Sequence, residues 1–414
     1  MADLRWPGDH RAGDHLTDAE LIRDMLRVEE AWLAALVRAG VAPALAIVDD
    51  LESVVGAIDP QDIAVQAEAG GNPVIPLLGL VRDRLADDHP EAGRWLHRGL
   101  TSQDTLDTAI VLGLHRCVGS VLELIDDQVS ALTGLAEHHR STVMAGRTLT
   151  QHAVPITFGL KAAQWLHGIL DARDDLRDAR DRLPAQFGGA AGTLAGPSLL
   201  LQLTDGAGDA VSLARVAADR LGLPWSPPWH TSRAPITRVS DALTRATDAW
   251  GRLARDVLVL ARPEIAELAE PAEAGRGGSS TMPHKVNPIL SVLIRRAALT
   301  APGHAAQLHL AATESVDERA DGAWHTEWST IATLGRHTVT AAAQTAELLA
   351  GLHVDTGRMT RLVESAGSIL LAEQRSLAGF VGAAGDDFDP THYLGSSDAI
   401  IDAILERARS GGSR

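Results

Sequence analysis

Only two of the 37 strong cations in this chain are lysines, Lys161 and Lys285, and its only asparagines are Asn72 and Asn287. Lys285 and Asn287 stand two residues apart in Gly278-Ser279-Ser280-Thr281-Met282-Pro283-His284-Lys285-Val286-Asn287-Pro288. Most positions here that accept either cation carry arginine, so a surviving lysine marks a site that needs a compact ammonium and not a wide planar fork. A point charge of this kind suits an anionic small substrate. With 54 acids and a formal net charge of -17, the chain would need a locally basic pocket to hold one.

Other chemistries lack their residues. No His-Glu-x-x-His, no phosphate-binding Gly-x4-Gly-Lys-Ser/Thr and no Gly-x-Ser-x-Gly occurs. Gly188-Gly189-Ala190-Ala191-Gly192 is glycine-rich but follows no predicted strand, so it reads as a tight turn between helices. The 17 histidines are scattered, and a single cysteine, Cys117, excludes an internal disulfide and a multi-cysteine metal centre. The chain is therefore expected to work without metal or cofactor. Its negative charge argues against nucleic acid or an anionic membrane as partner. No run approaches ~18 consecutive apolar residues, and the polar, acidic stretch from Met1 to His15 lacks the features of a secretory signal, which points to the cytoplasm.

Helices must hold such a loop in place. Between Thr17 and Arg38 the apolar residues Leu21, Met25, Val28, Trp32 and Leu36 recur at helical spacing behind a cap at Thr17 or Asp18. Pro60, Pro73, Pro76 and Pro90 then divide the chain into short helices and loops, which makes 1–97 a leading helical domain. Long proline-poor segments follow at 109–140, 239–261, 289–310 and 324–352. Each is roughly 20 to 30 residues, longer than an ordinary globular helix, and rods of that length form a bundle, here spanning 98–353. The glycine, proline and serine clusters fall between the rods, including 275–288, where chemistry concentrates on loops held by rigid elements. The remainder, 354–414, is sparse, with one more amphipathic helix from Ser397 to Ala408. Alternating β-branched and aromatic runs are scarce, so the fold class is all-α.

Three segments together resemble the fumarase, aspartase and argininosuccinate lyase superfamily. Gly278 to Pro288 is similar to its signature loop, Gly-Ser-Ser-x-Met-Pro-x-Lys-x-Asn-Pro; His97 to Asp104 resembles its first region, and Gly146 to Pro155 its second. Within the superfamily the likeness is greatest to the bacterial 3-carboxy-cis,cis-muconate cycloisomerases. It rests on Gly71 to Pro76, Thr101 to Thr108, Gln186 to Thr193, Trp229 to Arg233 and Trp324 to Trp328. The resemblance implies a three-region helical fold, a homotetramer whose sites combine segments of different subunits, and a small di- or tricarboxylate substrate.

It also implies roles. Adding a carboxylate across an activated double bond, or its reverse β-elimination, passes through a carbanion delocalised into a neighbouring carboxylate. Ser279 would carry the proton, Lys285 would supply positive charge, and Thr101, Ser102 and Asn287 would cradle carboxylate oxygens. Thr148 and Gln151 match polar positions near the site, and Arg147 and Arg319 could clamp carboxylates. His97 matches a substrate-contacting histidine of the adenylosuccinate lyase branch, with a structural imidazole as the alternative. Two departures from the fumarase-like lyases go together: Leu149 replaces a histidine and Val292 a glutamate, the two halves of a relay to water. A third is a shortened segment, 378–388, between Leu371 to Leu377 and Asp389 to Leu394. The expected activity is lactonisation of 3-carboxy-cis,cis-muconate to 4-carboxymuconolactone in aromatic catabolism. The alternatives are β-elimination from another succinyl-type substrate, or a catalytically retired member of the fold.

Overall fold

Thr17 accepts the amide of Glu20 and starts the helix Asp18–Arg38, burying Met25, Val28, Trp32 and Leu36 completely. The computed structural model describes residues 3–282, 284–383 and 389–411. Pro283 of the loop motif and part of the shortened segment, 384–388, lie outside the described residues. Helices of 24 to 37 residues dominate: Ser102–His138, Phe158–Asp181, Ala234–Leu260, Ile289–Thr313 and Gly322–Ala350. The architecture is all-α. Four of these rods match the proline-poor segments of the sequence. The fifth, Phe158–Asp181, was not marked by periodicity because a run of Asp and Arg covers its second half. Its buried stripe, Leu166, Ile169 and Leu170, is nevertheless intact, and Arg245 and Arg407 pair with Asp175, Asp171 and Asp174 on its polar side.

By length and composition Ser102–His138 could cross a membrane, but 67% of its most apolar window is buried inside the chain, as in a core helix. Two short antiparallel pairs interrupt the helices: Val143–Thr148 with Gln151–Thr157, and Leu268–Ala269 with His353–Val354. The first is a hairpin with a two-residue turn, Leu149 and Thr150, both left-handed at φ 49° and 69°. Turns of this kind favour Asn-Gly, so the usual sequence signal for the hairpin is missing. Gly146 sits at a register shift in the hairpin, where an added Cβ would come within 2.4 Å of the Val154 carbonyl.

The chain divides into two compact units. One comprises Met1–Ser120, Leu176–Leu243 and Ala301–Thr340, the other Val121–Asp175, Thr244–Thr300 and Ala341–Arg414. In the first, Trp32 stacks on Phe187 with centroids 5.4 Å apart, and its indole donates to the Arg98 carbonyl, just before the first site region. In the second, Trp250 donates to Gln128, which donates to the Ala342 carbonyl. There Gly251 lets the helix Ala234–Leu260 approach Ile289–Thr313, since an added Cβ would lie 2.4 Å from that of Ala298.

Candidate active site

The first unit holds His97, Thr101, Ser102 and Arg319. Thr101 precedes the helix Ser102–His138, and Asp104, three residues on, folds back to accept the Thr101 amide at 3.0 Å, half of a capping box. The same buried carboxylate accepts the amides of Gly188 and Gly189 at 2.8 and 2.9 Å and meets His230 Nε2 at 2.9 Å. The glycine-rich segment is thus a turn, as its sequence suggests, and its amides are satisfied by a carboxylate of the first site region. Arg319 donates to the Thr101 hydroxyl and, at 3.1 Å, to the Ala190 carbonyl. Its Nε is buried with no partner among the described residues.

One turn along the same helix a second buried cluster forms. Arg233 pairs with Asp107 at 2.7 Å and with Glu327 at 2.5 Å, all three nearly inaccessible. Trp324 donates its indole N–H to Asp107 at 2.9 Å and packs edge-on against Trp328. Gln103 donates to Asp107 and to the His230 carbonyl. Thr108 exchanges hydrogen bonds with the Gln186 backbone, and the Gln186 side chain receives the Trp229 amide. Burial pushes the Glu327 carboxyl above its ordinary range, and Arg233 counters that only in part. Four of the segments that carry the resemblance therefore meet here as one hydrogen-bonded support beneath Thr101.

The second unit holds the hairpin and the signature loop. Arg147 makes a bidentate pair with the fully buried Glu267, at 2.9 and 3.2 Å. In this chain its guanidinium joins the hairpin to the segment before Leu268–Ala269 and is not free for a substrate carboxylate. Thr148 and Gln151 flank the turn and are exposed, with Leu149 96% exposed between them.

The loop is fastened at its base. The Asn287 amide and side chain both donate to the Gly277 carbonyl, at 2.8 and 2.9 Å. This approach requires glycine, because Gly277 has φ 72° and an added Cβ would sit 2.4 Å from the Asn287 carbonyl. Asn287 is thus a clasp of the loop with one carboxamide hydrogen in use. Arg276 is paired with Glu273 and Glu347, and Glu270 accepts the amides of Leu290 and Ser291 at the start of Ile289–Thr313. Between these anchors Ser279 Oγ accepts the amides of Met282 at 3.2 Å and, more weakly, Thr281 at 3.4 Å. Amides aimed at a hydroxyl oxygen stabilise its alkoxide. Lys285 is exposed and makes no ion pair among the described residues. Among the described residues no group of three or more His, Cys, Asp or Glu could hold a metal.

A family model described as a lyase matches residues 16–303. The chain belongs to the fumarase/aspartase lyase superfamily. It is similar to nitrosuccinate lyase of Streptomyces davaonensis, 42% identical over 367 residues that cover 87% of this chain and 76% of the relative. It is also similar to 3-carboxy-cis,cis-muconate cycloisomerase of Pseudomonas aeruginosa, 38% identical over 366 residues covering 87% and 77%. The crystal structure of 3-carboxy-cis,cis-muconate lactonizing enzyme from Pseudomonas putida matches with a TM-score of 0.84 at 29% identity, covering 97% of each chain. This chain is accordingly an enzyme of the lyase superfamily.

Sequence reasoning missed Asp104, Asp107, His230, Arg233, Glu327 and Glu267 as individuals. Asp104, Asp107 and Thr108 did carry a signal, three polar groups on one helical face just before the apolar run from Ala109 to Leu114. Their partners lie far away in sequence, and no local pattern names them.

Proposed function

We propose that this lyase-superfamily enzyme lactonises 3-carboxy-cis,cis-muconate to 4-carboxymuconolactone, as a cytoplasmic, cofactor-independent homotetramer with sites shared between subunits. One observation carries the choice against a fumarase-like reaction on water: both relay positions are apolar, Leu149 at the hairpin tip and Val292 on Ile289–Thr313. A relay to water or to a strongly basic leaving group has nothing to work with here. An attacking or departing group that is a weak base, such as a carboxylate, needs no such help.

In this proposal a substrate carboxylate oxygen bonds to the β carbon, and the alkene electron pair moves onto the α carbon and into its carboxylate. Lys285 stabilises the resulting dianion with Thr101, Ser102 and the free carboxamide hydrogen of Asn287 as neutral donors. Ser279 then delivers its proton to the α carbon, and its alkoxide is held by the Met282 and Thr281 amides and the Lys285 charge. In reverse Ser279 is the base. Thr101 with Ser102, Thr148 with Gln151, and the Ser279 loop would each come from a different subunit. Of the two arginines, Arg319 is the better carboxylate clamp because its Nε is unused while Arg147 is committed to Glu267.

The second reading is β-elimination of nitrite from a nitrosuccinate-type substrate, favoured by the 42% identity to the Streptomyces davaonensis enzyme. Nitrite is also a weak base, so the missing relay fits both. The deciding experiment gives purified protein each substrate in turn, following loss of conjugated-diene absorbance for the muconate and nitrite release for nitrosuccinate. A preference for the muconate of about 100-fold or more in kcat/KM supports lactonisation. The opposite preference replaces it with elimination, and inactivity on both leaves the retired-member alternative. For the shared site, Ser279→Ala and a disabling change at Gln151 are mixed and allowed to exchange subunits. Hybrid tetramers should recover about a quarter of wild-type activity, and no recovery places both arms in one chain.

A further inference from the structure

Within the first unit, His97 Nδ1 lies 2.7 Å from Glu29 Oε1, and the Thr105 hydroxyl donates to the same oxygen at 2.7 Å. The Glu29 side chain is 1% exposed and its second oxygen has no partner among the described residues. A carboxylate this deep is costly unless a cation faces it. Among the described residues no lysine or arginine pairs with Glu29, so His97 is the group that can supply the charge. His97 also has φ 65°, a left-handed conformation that costs an L-residue roughly 1 kcal/mol and is kept while the ring meets Glu29. With Nδ1 engaged, Nε2 is the open nitrogen of a ring that is 15% exposed, four residues before Thr101.

Charged groups reach this imidazole from three helices. Burial lowers its proton affinity, and Arg82 from Val74–Leu85 lowers it further. The charge and hydrogen bond of Glu29, from Asp18–Arg38, and the charge of Asp104, from Ser102–His138, more than offset both, so the His97 pKa stands above the ordinary histidine value.

We propose that Glu29 is a positioning residue that holds His97 as an imidazolium with Nε2–H free, and that this N–H binds a substrate carboxylate beside Thr101. The ligand half of this inference rests on the proposed succinyl-type substrate; the Glu29–His97 pair does not. A charged N–H on a carboxylate is stronger than a neutral one and strengthens again as that carboxylate gains charge. The arrangement would place a further cation in the site besides Lys285 and Arg319.

The test reads the pair without any ligand. His97 is followed by NMR in protein carrying 13C at histidine Cε1, its signal assigned by loss in His97→Gln. Glu29→Gln should lower the His97 titration midpoint by at least about one unit, a tenfold loss of proton affinity. Thr105→Val removes the other hydrogen bond to the same oxygen but keeps the charge, and should leave the midpoint near wild type. A midpoint unmoved by Glu29→Gln, or moved equally by Thr105→Val, overturns the proposal. Succinate is then titrated calorimetrically as the probe. Wild-type affinity should fall as pH rises through the His97 midpoint, and the fall should move to lower pH in Glu29→Gln and vanish in His97→Gln. A pH dependence that survives in His97→Gln overturns the carboxylate contact. Wild-type protein that shows the expected titration but does not bind succinate contradicts the succinyl-type substrate of the proposed function, and leaves the pair standing.

Discussion

Around Thr101 the polar groups are buried and matched: Asp104 satisfies three amides and His230, and Arg233 joins Asp107 to Glu327. The segment from Gly277 to Asn287 is clasped at its base, while Ser280, Thr281, Met282, His284, Lys285 and Val286 face solvent. Both regions carry dense motifs, yet in one the motif residues mostly hold one another, and in the other they hold a loop closed around groups left available. The first is built to fix a position, at the stability cost that unpaired buried charge would bring if any member were removed. The second is built to present an ammonium beside a hydroxyl whose oxygen is held by loop amides.

Substitutions that separate these two modes should divide cleanly between activity and stability. The largest effect is expected from Ser279→Ala, which should lower kcat by roughly 10²- to 10⁴-fold with an unchanged thermal midpoint, the signature of losing a positioned proton carrier. Near-normal turnover would remove Ser279 from the chemistry. In the buried network, Arg233→Met should do the reverse kind of damage. It strands Asp107 and Glu327, and urea unfolding should show a loss of about 3–5 kcal/mol. A loss below about 1 kcal/mol would mean that the network is not the support described above.

Lys285→Arg keeps the charge at an exposed position, so the fold should be untouched. A fork in place of a point charge should still reduce kcat/KM by about tenfold or more. Equal activity would refute the inference drawn from the rarity of lysine. The pH dependence of stability tests the Glu29–His97 pair from the other side. A histidine whose pKa is raised on folding stabilises the fold fully below its unfolded value, about 6.5, and loses that contribution as pH rises through the folded value. The gap in thermal midpoint between wild type and Glu29→Gln should therefore be widest in mild acid and narrow above neutrality. A gap that widens with pH would reverse the assigned charge. The smallest effect concerns the hairpin. Leu149→Gly relieves a left-handed leucine and should stabilise the isolated chain by about 1 kcal/mol in thermal unfolding. A destabilisation would show that the leucine side chain is needed where the turn packs.

Much of the fold is legible in the amino-acid sequence itself. A cap at Thr17 or Asp18, the stripe from Met25 to Leu36, and the long rods other than Phe158–Asp181 follow from periodicity and side-chain chemistry, which act between residues three or four apart. The Gly278 to Pro288 motif and the apolar residues Leu149 and Val292 were equally readable, because each is a matter of residue identity alone. The hairpin from Val143 to Thr157 was not, since its turn lacks the residues that usually signal it. Nor was the state of the individual charges. Arg147 and Arg319 look alike in the sequence, and only the folded chain sets one on Glu267, 120 positions away, and the other on Thr101, 218 positions away. His97 finds Glu29 across 68 positions and Arg233 finds Asp107 across 126. Periodicity decides which face of a helix is buried, but which charge lies opposite another inside the protein is decided when distant segments pack. There the penalty for an unpaired charge is largest, and tertiary structure alone selects the partner.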